Sequence, residues 1–154
     1  MVKGLEVSSP VSTTTPAPSK AAPRPTPETQ PFWDGTAAGE LRLQRCTACD
    51  AGHYFPPRPF CPSCLSDQVE WETVSGRGTL HTYVINHRAA PGFEPPYAIA
   101  VVQLDEGPRM MGNITGIDQT PEALELDLPL QVTFEVRGDM HVPIWEPASG
   151  EASA

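Results

Sequence analysis

Two Cys-x2-Cys pairs constrain this chain more than anything else in it. Cys46-Thr47-Ala48-Cys49 is followed, eleven residues later, by Cys61-Pro62-Ser63-Cys64, and these are all four cysteines among 154 residues. Each pair sets two thiols on one tight turn, and two such turns can close a tetrahedron of sulfur around one borderline-soft cation. Four sulfurs complete the shell and leave no open position for chemistry, so the metal, best read as zinc, is structural. Iron in a rubredoxin-like site would use the same ligands. Two disulfides are the competing account, but residues three apart in a knuckle bridge poorly and a reducing compartment keeps them as thiols. A redox Cys-x2-Cys explains one pair and leaves the other idle.

The segments around the knuckles read as short strands. Leu41 to Arg45 alternates apolar and polar into the first knuckle, and His53-Tyr54-Phe55 leads out of it. Pro56, Pro57 and Pro59 stop that strand before the second knuckle. This order is a zinc ribbon. His53 is expected at the surface, because a fifth ligand is unnecessary. Further β segments follow at 69–74, 79–86, 97–104, 109–115, 130–136 and 140–145, with Asp105-Glu106-Gly107-Pro108 as a hairpin turn. Thr120 to Leu124 carries a threonine cap and an N1 proline, the start of a short helix. The expected fold class is all-β: an N-terminal zinc ribbon followed by a five-stranded OB-fold barrel with one short helix. A β-sandwich is the alternative. Gly78 and Gly112 are expected to be buried at barrel bends, and ribbon and barrel to have separate cores.

Residues 1–31 are Ser, Thr, Ala and Pro, with seven prolines and almost no large apolar side chain. Such a segment cannot bury enough surface to offset its ordering, so it is expected as a disordered linker. Phe32 and Trp33 read as an aromatic plug anchoring the first packed element, with Asp34 capping a short turn before Gly39. The ribbon with its anchor is placed at 32–75, the barrel at 76–147 and a disordered tail at 148–154.

Charge excludes one partner class. Residues 32–154 hold seven arginines, no lysine and seventeen acids. Nucleic-acid binding rests on clustered cations that release phosphate counterions, and this region has none. No run approaches the roughly 18 apolar residues of a membrane helix, and the N-terminus lacks a secretory apolar core. Neither a membrane nor a nucleic acid is an expected partner, and the cytoplasm is the expected location.

Enzymatic groups are scarce. No phosphate loop, nucleophile elbow or open metal position appears. The histidines are His53, His81, His87 and His141. Strict alternation puts His81, Tyr83, Ile85 and His87 on one strand face, which either lines a site or is a half-exposed face. The second is the plainer account, and no catalytic residue is assigned.

Several motifs, in order, resemble a known family. Gly39-Glu40-Leu41-x-Leu43-Gln44-Arg45-Cys46-x-x-Cys49, Phe55-Pro56-Pro57-Arg58, Cys61-Pro62-x-Cys64, Ser75-Gly76-Arg77-Gly78-Thr79-Leu80 and Pro96 to Gly107 carry the likeness. They resemble the acyl-CoA-associated zinc-ribbon plus OB-fold proteins, domain of unknown function 35, over about residues 32–145. The resemblance implies an accessory subunit that binds and activates a thiolase-like aldolase. The reaction it implies is retro-aldol cleavage of a steroid side-chain CoA thioester, the complex's substrate, releasing propionyl-CoA. A MaoC-like hydratase domain, fused or associated, is a further implied partner, and the 1–31 segment resembles the linker that joins such domains. Acyl-CoA binding makes Arg88 and Arg109 candidate CoA-phosphate contacts, and Phe93, Tyr97 and Trp145 candidate interface aromatics. Asp50 and Leu65 stand where the family often has glycine, and leucine adopts positive φ poorly, so the second knuckle's amide–sulfur bonds are expected to suffer. The alternative function is a stand-alone acyl-CoA or small-molecule carrier.

Overall fold

The computed structural model of the chain describes residues 19–150. Most of the expected linker, residues 1–18, and the last four residues of the expected tail lie outside them. The order of elements is α1 (Gln30–Ala37), β1 (Arg42–Cys46), β2 (His53–Tyr54), β3 (Val69–Thr73), β4 (Arg77–Asn86), β5 (Tyr97–Leu104), β6 (Arg109–Asn113), β7 (Pro129–Arg137) and β8 (Met140–Pro147). Among the described residues the all-β class with a single short helix is therefore correct, but the helix is elsewhere than expected. At Thr120–Leu124 the cap forms, Thr120 Oγ1 accepting from the Ala123 amide. Only a single turn follows, the Ala123 and Leu124 amides both donating to the Thr120 carbonyl. The chain then passes through Asp127 at φ 65, whose amide is drawn to the Leu80 carbonyl.

Helix α1 forms instead where a capped turn was expected. Phe32, Gly35 and Thr36 are its buried residues, the i, i+3, i+4 stripe of one helical face. Asp34 lies inside the helix and accepts a hydrogen bond from Gln30 Nε2. Gly39, at φ 77, ends it: the Gly39 amide donates to Thr36 O and the Glu40 amide to Gly35 O, a Schellman closure. Phe32 is buried and edge-on to Trp33, and it meets Phe55 of the ribbon at 5.6 Å. The aromatic pair is thus a plug.

The ribbon is a three-stranded antiparallel sheet ordered β2-β1-β3. The second sheet is ordered β6-β5-β4-β7-β8, all antiparallel. Its outer strands meet at one parallel bridge, Ile114 to Trp145, with the Thr115 amide donating to Trp145 O at 2.8 Å. The five strands expected of the OB fold are present, brought round without a continuous closing ladder. Gly78 is buried, and a Cβ there would run into the Gln103 carbonyl of β5; Gly112 is only half-buried, under the Trp145 ring.

Three expectations about packing are corrected. The cores are not separate: Phe32 of α1, Leu41 just before β1 and Leu43 within it pack in one cluster with Leu80, Val102, Leu130 and Trp145. The apolar face of β1 has no other sheet to cover it, so it is buried against the barrel. Trp145, expected at an interface, is 1% exposed at the centre of that core. Residues 19–31 do not run free of the body either: Lys20 pairs with Glu135 of β7 at 2.8 Å, and Ala22 approaches Gly138.

Candidate metal centre

β1 ends on Cys46, Cys49 sits on the turn after it, and Cys61 and Cys64 bracket the second turn. All four Sγ atoms lie within 4.8 Å of one another, with Cys46–Cys64 at 3.6 Å and Cys49–Cys61 at 3.8 Å. A zinc–sulfur bond of about 2.3 Å in a tetrahedron asks for sulfurs about 3.8 Å apart. These separations fit a structural zinc ion, and they are far beyond a disulfide's bond length of about 2.0 Å; the cysteines are free thiols. Cys46 and Cys61 are buried, whereas Cys64 faces solvent.

Backbone amides support the sulfurs in both knuckles. The Ala48 amide donates to Cys46 Sγ and the Ser63 amide to Cys61 Sγ, each at 3.4 Å. The second knuckle was expected to be impaired by Leu65, yet Leu65 takes φ 62. Its amide donates to Cys61 O at 3.0 Å, which holds the turn. Leucine adopts the left-handed conformation at a local cost rather than breaking the knuckle. In the first knuckle the left-handed step falls on Gly52, at φ 75, and not on Asp50.

Electrostatics call for a cation here. The amides of Cys64 and Ser63 hold the Cys61 thiol down, to about 6. At Cys49 the Ala51 amide pulls the same way, but the neighbouring thiols of Cys64, Cys46 and Cys61, together with burial, push it up to about 12. Four thiolates so close together ionise jointly only when a shared positive charge offsets their repulsion.

His53 is not a ligand, and it is not at the surface as expected. Its Nε2 lies 2.7 Å from Glu72 Oε2, with its side chain only 17% exposed. Gln44 is a residue that sequence reading passed over: it is 4% exposed, and its Oε1 accepts the Arg58 amide at 2.7 Å. That bond ties β1 to the proline segment before the second knuckle. Its place beside Leu43 in an alternating strand points it outward, so the local pattern carries no signal for its burial.

The His81–Tyr83–Ile85–His87 row does not exist as a face. β4 pairs Leu80 with Val102 and Thr82 with Val101, leaving His81 as the extra residue of a bulge. A bulge shifts the strand's alternation. Tyr83 and Ile85 accordingly pack on the core, His81 is exposed, and His87 is exposed beyond the strand's end. Arg88 and Arg109 are not brought together. Arg88 follows Asn86 at one end of β4, whereas Arg109 pairs with Gln103, itself opposite Thr79 at the other. Seven residues of strand separate them by roughly 20 Å. Arg109 Nε donates to Gln103 Oε1 at 2.8 Å. It lines a cleft of about 580 Å³ between ribbon and barrel with His53, Tyr54, Phe55, Gln103 and Glu106.

The geometry agrees with what the chain resembles. A family model described as the ChsH2 rubredoxin-like zinc ribbon domain matches residues 33–70, and one described as the ChsH2 C-terminal OB-fold domain matches residues 71–135. A DUF35 domain-containing scaffold protein of Pyrococcus furiosus is 37% identical over 94 residues, 58% of this chain and 67% of its own length. The chain belongs to the ChsH2 zinc-ribbon and OB-fold (DUF35) family. Another member, the 3-oxo-4,17-pregnadiene-20-carboxyl-CoA hydratase alpha subunit of Mycobacterium tuberculosis, is 37% identical over 117 residues, covering 75% of this chain. The chain spans little more than a third of the length of the hydratase alpha subunits it matches. Among solved structures, a chain of the Ltp2-ChsH2(DUF35) aldolase superposes with a TM-score of 0.73 at 30% identity, covering 82% of this chain and 99% of that one. For a DUF35 ribbon the four-sulfur geometry is the expected zinc centre. No helix among the described residues is long and apolar enough to cross a membrane.

Proposed function

We propose that this chain is the zinc-ribbon and OB-fold portion of an accessory subunit that docks on a thiolase-superfamily aldolase and is required for its activity. One observation carries the reading: the likeness, in sequence as well as fold, to nearly the whole of the DUF35 chain of an aldolase complex. The reaction we assign to the complex is retro-aldol cleavage of a steroid side-chain CoA thioester with release of propionyl-CoA. The name of the tuberculosis relative supports a steroid-CoA substrate class. Such a cleavage needs a base for the hydroxyl proton and donors for the developing enolate, and we assign both to the aldolase. Supporting this division, the cysteines converge on one metal site and the bulge turns His81 away from Tyr83. The chain's own contribution is to position the partner's site. A MaoC-like hydratase module, fused or associated, and a cytoplasmic location complete the proposal.

A second reading, a binding module for acyl-CoA without an obligate partner, is favoured by the cleft between ribbon and barrel. Tyr54 Oη and Glu106 Oε2 are buried without hydrogen-bond partners, and both residues line it with Arg109. This reading assigns a CoA-phosphate contact at the cleft to Arg109, which lines it, and a separate contact to Arg88 at the other end of β4.

Reconstitution decides between them. The accessory-subunit reading expects the aldolase to cleave its CoA thioester at least tenfold faster with this chain than without. Equal rates overturn it. Saturable binding of acyl-CoA to this chain alone, lost in Arg109→Ala, supports the second reading.

A further inference from the structure

Phe93, in the loop between β4 and β5 (residues 87–96), and Tyr97, the first residue of β5, form an aromatic pair, and Lys20 of the chain's own N-terminal segment lies against the Phe93 ring. Phe93 stacks on Tyr97 with centroids 4.9 Å apart, and Asn86 Nδ2 donates to the Tyr97 hydroxyl at 2.6 Å. On the Phe93 ring sits Lys20 Nζ, 4.6 Å from the centroid, with the Arg137 guanidinium at 5.6 Å. Between the two cations lies Glu135: Oε2 is 2.8 Å from Lys20 Nζ, and Oε1 accepts from Arg137 Nε at 3.0 Å. One carboxylate, two cations and one aromatic face thus form a closed cluster joining three separate segments.

The backbone is shaped for this contact as well. Gly92 has φ 76, and any Cβ there would run into the backbone of Ser19 and Lys20. A glycine that admits a crossing main chain is an observation independent of the charges. Burial, the largest single influence on Glu135, pushes its carboxyl up, yet the hydrogen bonds and charges of Lys20 and Arg137 together outweigh it and hold the group below its ordinary range.

We propose that residues 19–22 are a latch: Lys20, clasped by Glu135 and seated on Phe93 over Gly92, holds the β4–β5 loop closed and covers the Phe93–Tyr97 pair. The consequence is conformational. With the latch seated, the loop is ordered and the Phe93 face is withheld from other molecules. When Lys20 leaves Glu135 and the Phe93 ring, the loop is free to open. The clasp is partly solvated, with side chains 27% and 24% exposed, so dissolved salt weakens it. Cation–aromatic contact adds to the ion pair and fixes where the ammonium sits. The latch stands independently of the aldolase reading, since every group in it belongs to this chain.

Amide exchange on the full chain tests it. The Phe93 amide donates to Ala90 O at 2.8 Å, and its exchange reports loop opening. Lys20→Ala and Glu135→Gln should each speed exchange at Phe93 about tenfold or more, leaving β5 and β7 amides at their original rates. Lys20→Arg, which keeps the charge, should restore most of the protection. Half-molar sodium chloride should accelerate the original protein towards the Lys20→Ala rate. An unchanged Phe93 rate in both Lys20→Ala and Glu135→Gln overturns the latch. So does acceleration spread equally over the β5 and β7 amides, which would mark general destabilisation.

Discussion

Trp145 seats its indole on Gly112: a Cβ at that glycine would stand 3.1 Å from both Cδ1 and Nε1 of the ring. This is where the second sheet comes round on itself, because Trp145 also makes the bridge to Ile114. A side chain on β6 would push the ring out of a fully buried position. Gly112→Val should therefore destabilise by about 1–3 kcal/mol through overpacking. Trp145→Ala should cost about 3–5 kcal/mol by leaving a cavity. Denaturant unfolding measures both, and a Gly112→Val protein as stable as the original would show that the ring has room to move.

Metal loss should be felt beyond the knuckles. Native protein is expected to carry one zinc ion by elemental analysis, and Cys61→Ser to lose it. Structural zinc sites in small peptides bind with roughly 10–16 kcal/mol of apparent free energy, so one missing ligand weakens binding by orders of magnitude. Leu41 and Leu43 share a core with Leu80 and Trp145, so the barrel's melting temperature should fall together with ribbon order. Barrel melting that ignores the substitution would show the two halves to be energetically separate.

Leu65 stores strain that a glycine would release. It holds φ 62 and its side chain is 76% exposed, so packing does not compensate the conformation. Leu65→Gly should raise stability by about 1 kcal/mol, with zinc content unchanged. A fall in stability would mean that the exposed side chain makes a contact of value.

Glu72 couples the outer strands of the ribbon to pH. The hydrogen bond from His53 is the main cause holding its carboxyl below the ordinary 4.5; desolvation opposes it, and the charges of His53 and Arg45 add to the lowering. The folded group titrates lower than the unfolded one. Its contribution is therefore complete above pH 4.5 and disappears as pH falls through the lower folded value. In an NMR titration Glu72 should change charge below 4.5, and His53→Ala should return it towards that value. A Glu72 midpoint indifferent to His53→Ala would remove this coupling.

The amino-acid sequence by itself determined whatever rests on neighbours along the chain. The metal ligands were legible because two residues three apart on a turn must lie together, and two such turns need only meet once. β1, β3 and β7 were legible from alternation, β4 and β5 from runs rich in β-branched, aromatic and apolar residues, and the β5–β6 turn from Asp105-Glu106-Gly107-Pro108. Tertiary packing decided the rest. The bulge at His81 arises from the register of β4 on β5, and it dissolved a row of side chains that strict alternation had assembled. The helix settled at Gln30–Ala37, where Phe32, Gly35 and Thr36 find a buried face, and not at Thr120–Leu124, after which the chain is drawn onto Leu80 of β4. Trp145 and Leu43 lie in one core, and Lys20 found Glu135 across 115 positions, a pairing that no local pattern encodes. Local spacing fixes which residues can act together; which surfaces they are pressed against is settled by burial, which sums over the whole chain at once.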